Sequence, residues 1–408
     1  MHMYSFIQIV SWSLYDMAAK FFGLSLVSLY FVRWLTLVKG VPDIVYSATF
    51  GVSMVVVALL APISGRIGDV TNRKKVLLTV LTVCAVGCTL LLEMTTAVLP
   101  ALILFAVANM CVQTAAIFYN ALIRDIAPPQ RVGLVSGTGK AFGYAGSLAV
   151  LLIIKPIVVE RGFHAAFFPS GALFMLFALP CLIFVKEKQA EVEADWNGLG
   201  ETIRSLRESL PELIKRPGIN DFLKAAFWAV APVNAVILFM SLYLTRVYGL
   251  SESRILQFLV FSGAFAVAGS FGLGHLSDRI GYKRGLYLVL IALTAGFFAA
   301  AFAGGQAWYP WIAAVFGIAF GGIWTVSRAM GARLVPQEKI GELFGLFALV
   351  AYIAALAGPL LWGVLVLLMT PLGILRYRIT VFVLGMLPLI SFIYLKRVSI
   401  DFGGEYGR

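Results

Sequence analysis

The sequence predicts an all-α polytopic membrane protein with twelve transmembrane helices in two pseudo-symmetric six-helix bundles. Three observations carry this expectation. Of the 408 residues, 61% are hydrophobic and 13% charged, against about 45–50% and about 25% in an ordinary soluble domain. Apolar stretches long enough to cross a bilayer recur from end to end. A pattern of residues repeats between the two halves of the chain. The mean hydropathy of +0.93 excludes a water-soluble globular domain, a disordered chain and a disulfide scaffold. A membrane β-barrel would alternate apolar and polar residues over segments of about 10, and no such alternation is present.

A hydrocarbon core of about 30 Å needs about 20 apolar residues per helix. That window places the first six spans at roughly 7–36, 44–65, 76–95, 97–122, 133–158 and 165–185. The second six fall at roughly 219–247, 254–276, 285–304, 307–330, 341–369 and 373–395. The chain divides accordingly into an N-terminal bundle (1–185), a linker (186–218), a C-terminal bundle (219–396) and a tail (397–408). In the linker, Leu199, Ile203, Leu206, Leu210 and Leu213 follow the 4-3-4-3 spacing of an amphipathic helix. Pro217 is expected to stop it. Such a helix would lie on the cytoplasmic membrane face or pack against the bundles.

Orientation follows from the basic residues. Of 32 Lys and Arg, 20 fall in the even-numbered loops, the linker and the tail, while the odd-numbered loops hold 8. By the positive-inside rule both termini are cytoplasmic, and a bacterial inner membrane is the expected location. The same distribution accounts for the net charge of +12, so no nucleic-acid partner is expected. With no basic n-region and no cleavage site of small residues before the first span, no secretory signal is expected. The four cysteines (Cys84, Cys88, Cys111, Cys181) lie in apolar segments without metal-ligand spacing and read as small core residues. With no HExxH, GxSxG or paired intramembrane aspartates, neither an enzyme nor a metal or cofactor is expected.

The repeat has two parts. Gly65-Arg-Ile-Gly-Asp69-Val-Thr-Asn72-Arg73 returns 209 residues later as Gly274-His-Leu-Ser-Asp278-Arg279-Ile-Gly281-Tyr. Pro128, Gly133, Gly137 and Tyr144 return 208 residues later as Pro336, Gly341, Gly345 and Tyr352. Two matches at nearly one offset indicate a duplicated six-helix unit. Gly65 would permit close helix approach, and Asp69 would accept bonds from a neighbouring helix N-terminus or an arginine. The pattern GxxxD-[RK]-x-G-[RK]-[RK] resembles the signature loop of the major facilitator superfamily. The second copy is intact, whereas the first carries Val70 and Asn72 in place of a basic residue and a glycine. Gly65, Asp69, Arg73, Gly274, Asp278 and Arg279 are thereby the candidate conformational-switch residues.

Further segments are Ser11-Trp12-Ser-Leu-Tyr15-Asp16, Tyr119-Asn120 through Asp125-Ile-Ala-Pro128, Gly137 to Gly146, Ser327-Arg328 through Pro336, and Phe344-Gly345. They are similar to the branch of autophagy-related vacuolar amino-acid effluxers and their bacterial relatives. The sequence differs from that branch at Ala19-Lys20, where a small polar pair is usual, and at Lys140, where an aromatic residue is usual. The resemblance implies a cavity lined by the first, fourth, seventh and tenth helices.

Ionisable residues within spans cost about 2.5–3.5 kcal/mol on insertion scales and are functional candidates by default. Asp16 is the acid set deep in the first span, with Lys20 one turn further on the same face. Trp12, Tyr15, Asp16, Lys20 and Gly23 form one stripe. An Asp16–Lys20 ion pair is the favourable order, and it would leave Lys140, in the glycine-rich fifth span, uncompensated. Gly-Thr-Gly-Lys140 lacks the first glycine of a phosphate loop and has Ala141 where Ser or Thr is required. Arg328 lies about one turn from the cytoplasmic end of the tenth span, where it would either snorkel or face the cavity. Asn109, Gln113 and Asn120 share a face of the fourth span; Trp228 and Asn234, near the Pro232 kink, and Trp324 would complete the lining.

The expected function is alternating-access secondary transport of a small anionic or zwitterionic metabolite, coupled to protons. The expected partners are cargo, bilayer and protons, with the chain as a monomer. The competing readings are a lipid or lysolipid flippase and a non-transporting sensor. Intramembrane charge argues against the sensor.

Overall fold

The computed structural model describes residues 2–41, 43–188, 199–216 and 218–398. Pro217, linker residues 189–198 and the tail beyond 398 lie outside the described residues. Among those described there is no strand. Twelve helices among the described residues are long and apolar enough to cross a membrane. They are Phe6–Val38, Ala48–Thr71, Lys74–Met94, Val98–Ile126, Pro129–Arg161 and Phe163–Phe184, then Ile219–Met240, Gln257–Ile280, Tyr282–Phe302, Gln306–Leu334, Gln337–Leu368 and Leu375–Arg397. The protein is an integral membrane protein.

Spans 2 and 8 run further than the apolar window predicts. The window stops at the first charges, but a helix ends where its backbone turns. Here that happens at Asn72 (φ 49) and Gly281 (φ 91). The signature residues Gly65, Asp69, Gly274 and Asp278 are therefore helical, on the last turns of spans 2 and 8. Left-handed backbone is open to glycine and, at modest cost, to asparagine. Asn72 can thus stand where the second copy has Gly281.

Span 1 changes winding along its length. It is α-helical from His2 to Phe22, then widens into π-helical turns over Gly23–Tyr30 and Trp34–Val38. Ser28 Oγ donates to the Gly23 carbonyl at 3.3 Å.

The chain forms two compact units. The first comprises Met1–Pro128, Phe142–Leu206 and Pro336–Gly345, the second Pro129–Ala141, Arg207–Val335 and Leu346–Arg408. Two helix beginnings, those of spans 5 and 11, are thus counted with the unit built mainly from the other half of the sequence. In the first unit, span 6 packs on spans 1 and 3, and span 4 on spans 2 and 3. Its core is aromatic: Trp12, Phe21, Phe22, Phe31, Phe105, Phe167 and Phe174 are fully buried, and Phe31 stacks on Phe105 at 4.4 Å.

The second unit repeats the same neighbours, with span 12 on spans 7 and 9, and span 10 on spans 8 and 9. Phe222, Tyr243, Phe297 and Phe316 fill its core. Large apolar residues such as Leu59, Leu99, Leu152, Phe271 and Leu367 are exposed, as lipid-facing positions require, because packing rather than water exclusion joins helices in a bilayer. The amphipathic helix spans Leu199–Lys215, and its Leu213 is buried.

Candidate functional site

The two copies of the repeat build two matching clasps. Asp69, at the end of span 2, accepts from the backbone N–H of Gly341 at 2.9 Å and of Glu342 at 2.8 Å. These amides open span 11 and have no acceptor within their own helix. Asp278, at the end of span 8, accepts from Gly133 and Leu134 N–H at 2.7 Å each, the first turn of span 5. Each carboxylate therefore meets a positive helix end. Glycines let the backbones approach: a Cβ on Gly65 would overlap the Gly341 carbonyl, and one on Gly274 would overlap the Gly133 carbonyl. The two halves of the repeat recognise one another crosswise.

Flanking contacts obey the same exchange. Gln337 donates to Asp125 Oδ1, and Arg333 to the Pro129 carbonyl. Positions 125 and 333, like 129 and 337, are related by the 208-residue offset.

The clasps differ in charge. In the first, Arg66 pairs with Glu342 at 2.6 Å and Lys74 with Asp69 at 3.4 Å. Glu342 is fully buried and Lys74 is 3% exposed. In the second, the extra partner of Asp278 is the Tyr282 hydroxyl, at 2.8 Å. Arg73 and Arg279 are exposed.

Residues within the spans fall into several groups. Trp12 is fully buried, donates to the Tyr119 carbonyl at 3.0 Å and stacks on that ring at 4.4 Å. The Tyr15 hydroxyl bonds Thr82 of span 3 at 2.7 Å, and its ring also stacks on Tyr119. Asp16 is buried and engaged.

The expected Asp16–Lys20 ion pair does not form among the described residues. The lysine stem instead follows span 5, its Cε 3.7 Å from where a Gly143 Cβ would sit. A shared helix face brings two residues within reach, but the neighbouring groove decides where a long side chain runs. Lys140 is half-buried on the part of span 5 that packs in the second unit, and it has an interaction of its own. The expected pairing of Asp16 with Lys20 is thus not seen among the described residues, and Lys140 is not without a partner.

Asn109 is fully buried and donates to Ser53 Oγ of span 2 at 2.7 Å. Gln113 and Asn120 are half-buried and engaged. Asn234 donates to the Val230 carbonyl at 3.0 Å, beside the Pro232 kink. Trp228 and Trp324 are half-buried, Trp228 meeting Phe227 edge-on. Arg328 does not snorkel. It is 2% exposed and holds Ser136 of span 5 through Oγ at 2.8 Å and the carbonyl at 2.6 Å.

The sequence profile of the Major Facilitator Superfamily matches residues 5–359. The chain belongs to that superfamily. An uncharacterised MFS-type transporter of Bacillus subtilis (strain 168), YxiO, is 26% identical over 339 residues, covering 78% of this chain and 76% of its own. Autophagy-related protein 22 of Eremothecium gossypii is 23% identical over 325 residues, covering 69% of this chain and 60% of its own. In fold, a bacterial homologue of the iron transporter ferroportin, in an outward-facing state, matches with a TM-score of 0.75 at 14% identity, covering 96% of this chain and 98% of its own. As a superfamily member the protein is a transporter of the secondary type.

Sequence reasoning missed three residues in this superfamily member. Glu342 is one, although its place beside Gly341 in the repeat was a usable signal. Lys74 is another, read only as a topogenic charge. The third is Glu187, whose carboxylate accepts from Lys74 N–H at 2.9 Å and Lys75 N–H at 3.0 Å, capping span 3. A single acid at the start of a polar linker gives no sign of such a role.

Proposed function

We propose that the protein moves a small anionic or zwitterionic metabolite by alternating access, coupled to protons. The observation that carries the reading is the pair of reciprocal clasps. Carboxylate-to-helix-end bonds can be made and broken without unfolding either helix, so each clasp is a two-state element of the kind a switching transporter needs. The charge selection rests on Lys20, a half-buried cation in span 1 that forms no ion pair with the acid one turn away. An ammonium held in that position favours an anionic group on the cargo. Asp16, buried beside it, is the proton carrier. Both termini lie in the cytoplasm of a bacterial cell, and the membrane is the inner one.

The test is substrate-dependent proton flux in proteoliposomes, after a thermal-shift screen of amino acids, organic anions, sugars and lysolipids. A ligand at about 100 Kd adds about 2.7 kcal/mol of stability. Lys20→Met is expected to weaken anion binding while the protein stays folded, and Asp16→Asn to keep binding but abolish the proton flux. Anion uptake unchanged in both variants would refute the cargo and coupling assignments.

A further inference from the structure

Span 1 departs from α winding over almost all of its second half. Beyond Phe22, the π turns of Gly23–Tyr30 and Trp34–Val38 are separated only by a short α stretch, Phe31–Arg33. A π-helix is rare and usually a single turn within an α-helix, often at a functional position. The repeat supplies a comparison. Span 1 ends at Gly40 (φ 66), and 209 residues on the helix of span 7 ends at Gly249 (φ 62). That helix, Ile219–Tyr248, is α from end to end. The duplicated fold therefore houses this stretch in either winding.

The buried residues of span 1 record the difference. They come in neighbouring pairs: Phe21 and Phe22, Ser25 and Leu26, Tyr30 and Phe31, Trp34 and Leu35. Successive pairs are four apart, then five, then four, and the step of five falls inside the first π stretch. Polar side chains hold the carbonyls there. Ser28 Oγ bonds the carbonyl five residues back, whereas Thr36, Thr49, Thr79 and Thr82 each bond the carbonyl four back. The hydroxyl of Tyr46, at the start of the span 2 helix, donates to the Val27 carbonyl. Ser25 Oγ meets Ser170 Oγ of span 6 at 2.6 Å. Gly23, where the winding changes, has room around it: a Cβ there would meet nothing within 4 Å.

A π turn holds one residue more than α winding needs. Taking up that residue turns everything beyond it by about 100° and advances it by about 1.5 Å. Each later side chain then sits where its successor sat. Leu29 and Tyr30 fill the places of Tyr30 and Phe31, so that part of the core stays packed. Arg33 comes to the place of Trp34, beside His164 and the Glu93 carboxylate that His164 faces. Leu35 leaves the core for the half-buried place of Thr36. We propose that span 1 beyond Gly23 is a two-state element that rewinds between π and α, turning its far end against spans 2 and 6. It begins three residues beyond Lys20, so under the alternating-access reading it re-aims the helix that carries the cargo-binding cation. Only this last role rests on that reading.

The test uses the full-length protein in detergent, without its four native cysteines and carrying Leu35→Cys. Leu35 is fully buried, so N-ethylmaleimide reaches the new thiol through the α form. Tyr46→Phe removes one hydrogen bond from the π form, and labelling should rise about fivefold. Deleting Ser28 removes the surplus residue. The protein should then fold with later side chains in their present places, and labelling should fall at least fivefold. Deleting Ile237, the counterpart of Ser28 in the all-α span 7, should instead lower the melting temperature sharply, because α winding has no residue to spare. Equal labelling of the parent, Tyr46→Phe and the Ser28 deletion would overturn the proposal. Loss of the fold on deleting Ser28, as on deleting Ile237, would overturn it as well. None of these readouts needs the cargo, so they stand or fall apart from the transport reading.

Discussion

Replacing Asp278 by asparagine removes one negative charge and one acceptor from the end of span 8 while keeping the shape of the side chain. Asp278 now holds two amides, Gly133 and Leu134, at 2.7 Å each, and the Tyr282 hydroxyl at 2.8 Å. Asparagine has one oxygen, so at least one amide loses its acceptor and faces an NH₂ group instead. A hydrogen bond to a charged group contributes about 1.5–3 kcal/mol, and the charge at the helix end about 0.5–1 kcal/mol more. The clasp should weaken by about 2–4 kcal/mol, or roughly 30- to 1,000-fold at 1.4 kcal/mol per decade.

Hydrogen exchange reads this directly. First-turn amides have no acceptor within their helix, so the carboxylate is the main source of protection for Gly133 and Leu134. Their exchange should accelerate by the same factor in Asp278→Asn, while the Lys74 and Lys75 amides, held by Glu187, exchange as before. Transport should slow, and stabilisation by bound cargo should persist. Unchanged exchange at residues 133 and 134 in a folded variant, or loss of cargo binding together with transport, would refute the reasoning.

Arg66→Met leaves the fully buried Glu342 carboxylate without its partner, and breaking such a pair costs about 3–5 kcal/mol. Adding Glu342→Leu should restore most of the lost thermal stability, and a double-mutant cycle with no coupling would count against a buried pair. Asn72→Gly should be neutral or slightly stabilising, and Asn72→Val should cost about 1–2 kcal/mol because of the left-handed backbone; equal melting temperatures for the two would contradict the φ of 49. In a background without the four native cysteines, Gly305→Cys should label from outside the cell and Gln130→Cys from the cytoplasm alone, and the reverse pattern would invert the topology.

Much of this fold was legible because bilayer thickness and backbone spacing are local constraints. Apolar windows located twelve spans, and the two offsets identified both members of each clasp. That Gly65 meets Gly341 and Gly133 meets Gly274 was not legible, since a repeat reveals equivalence and not contact. The span ends were misjudged for a related reason: charges at Asp69 and Asp278 look like loops to a hydropathy window but are stable on helix ends.

Inside the membrane, spacing was a weaker guide. Tyr15 and Asp16 were placed in one stripe, yet neighbours on a helix point about 100° apart. Tyr15 accordingly reaches Thr82 of span 3, while the Asp16 backbone packs near Gly143 of span 5. The buried arginine at position 328 illustrates the remaining gap. Its serine partner is 192 residues away, and nothing in the sequence joins the two.

The crosswise contacts carry a consequence for how such a chain could have arisen. If a single six-helix protein paired with a second copy of itself about a two-fold axis, every contact between position i of one copy and j of the other would occur twice. One aspartate, one pair of glycines and one helix start would build both clasps at once. After fusion the two copies of each contact became separate residues, free to change independently. Substitutions such as Asn72 for glycine and Glu342 opposite Leu134 mark where that freedom was used, and the clasp with two ion pairs and the clasp with a single carboxylate descend from what was one interface.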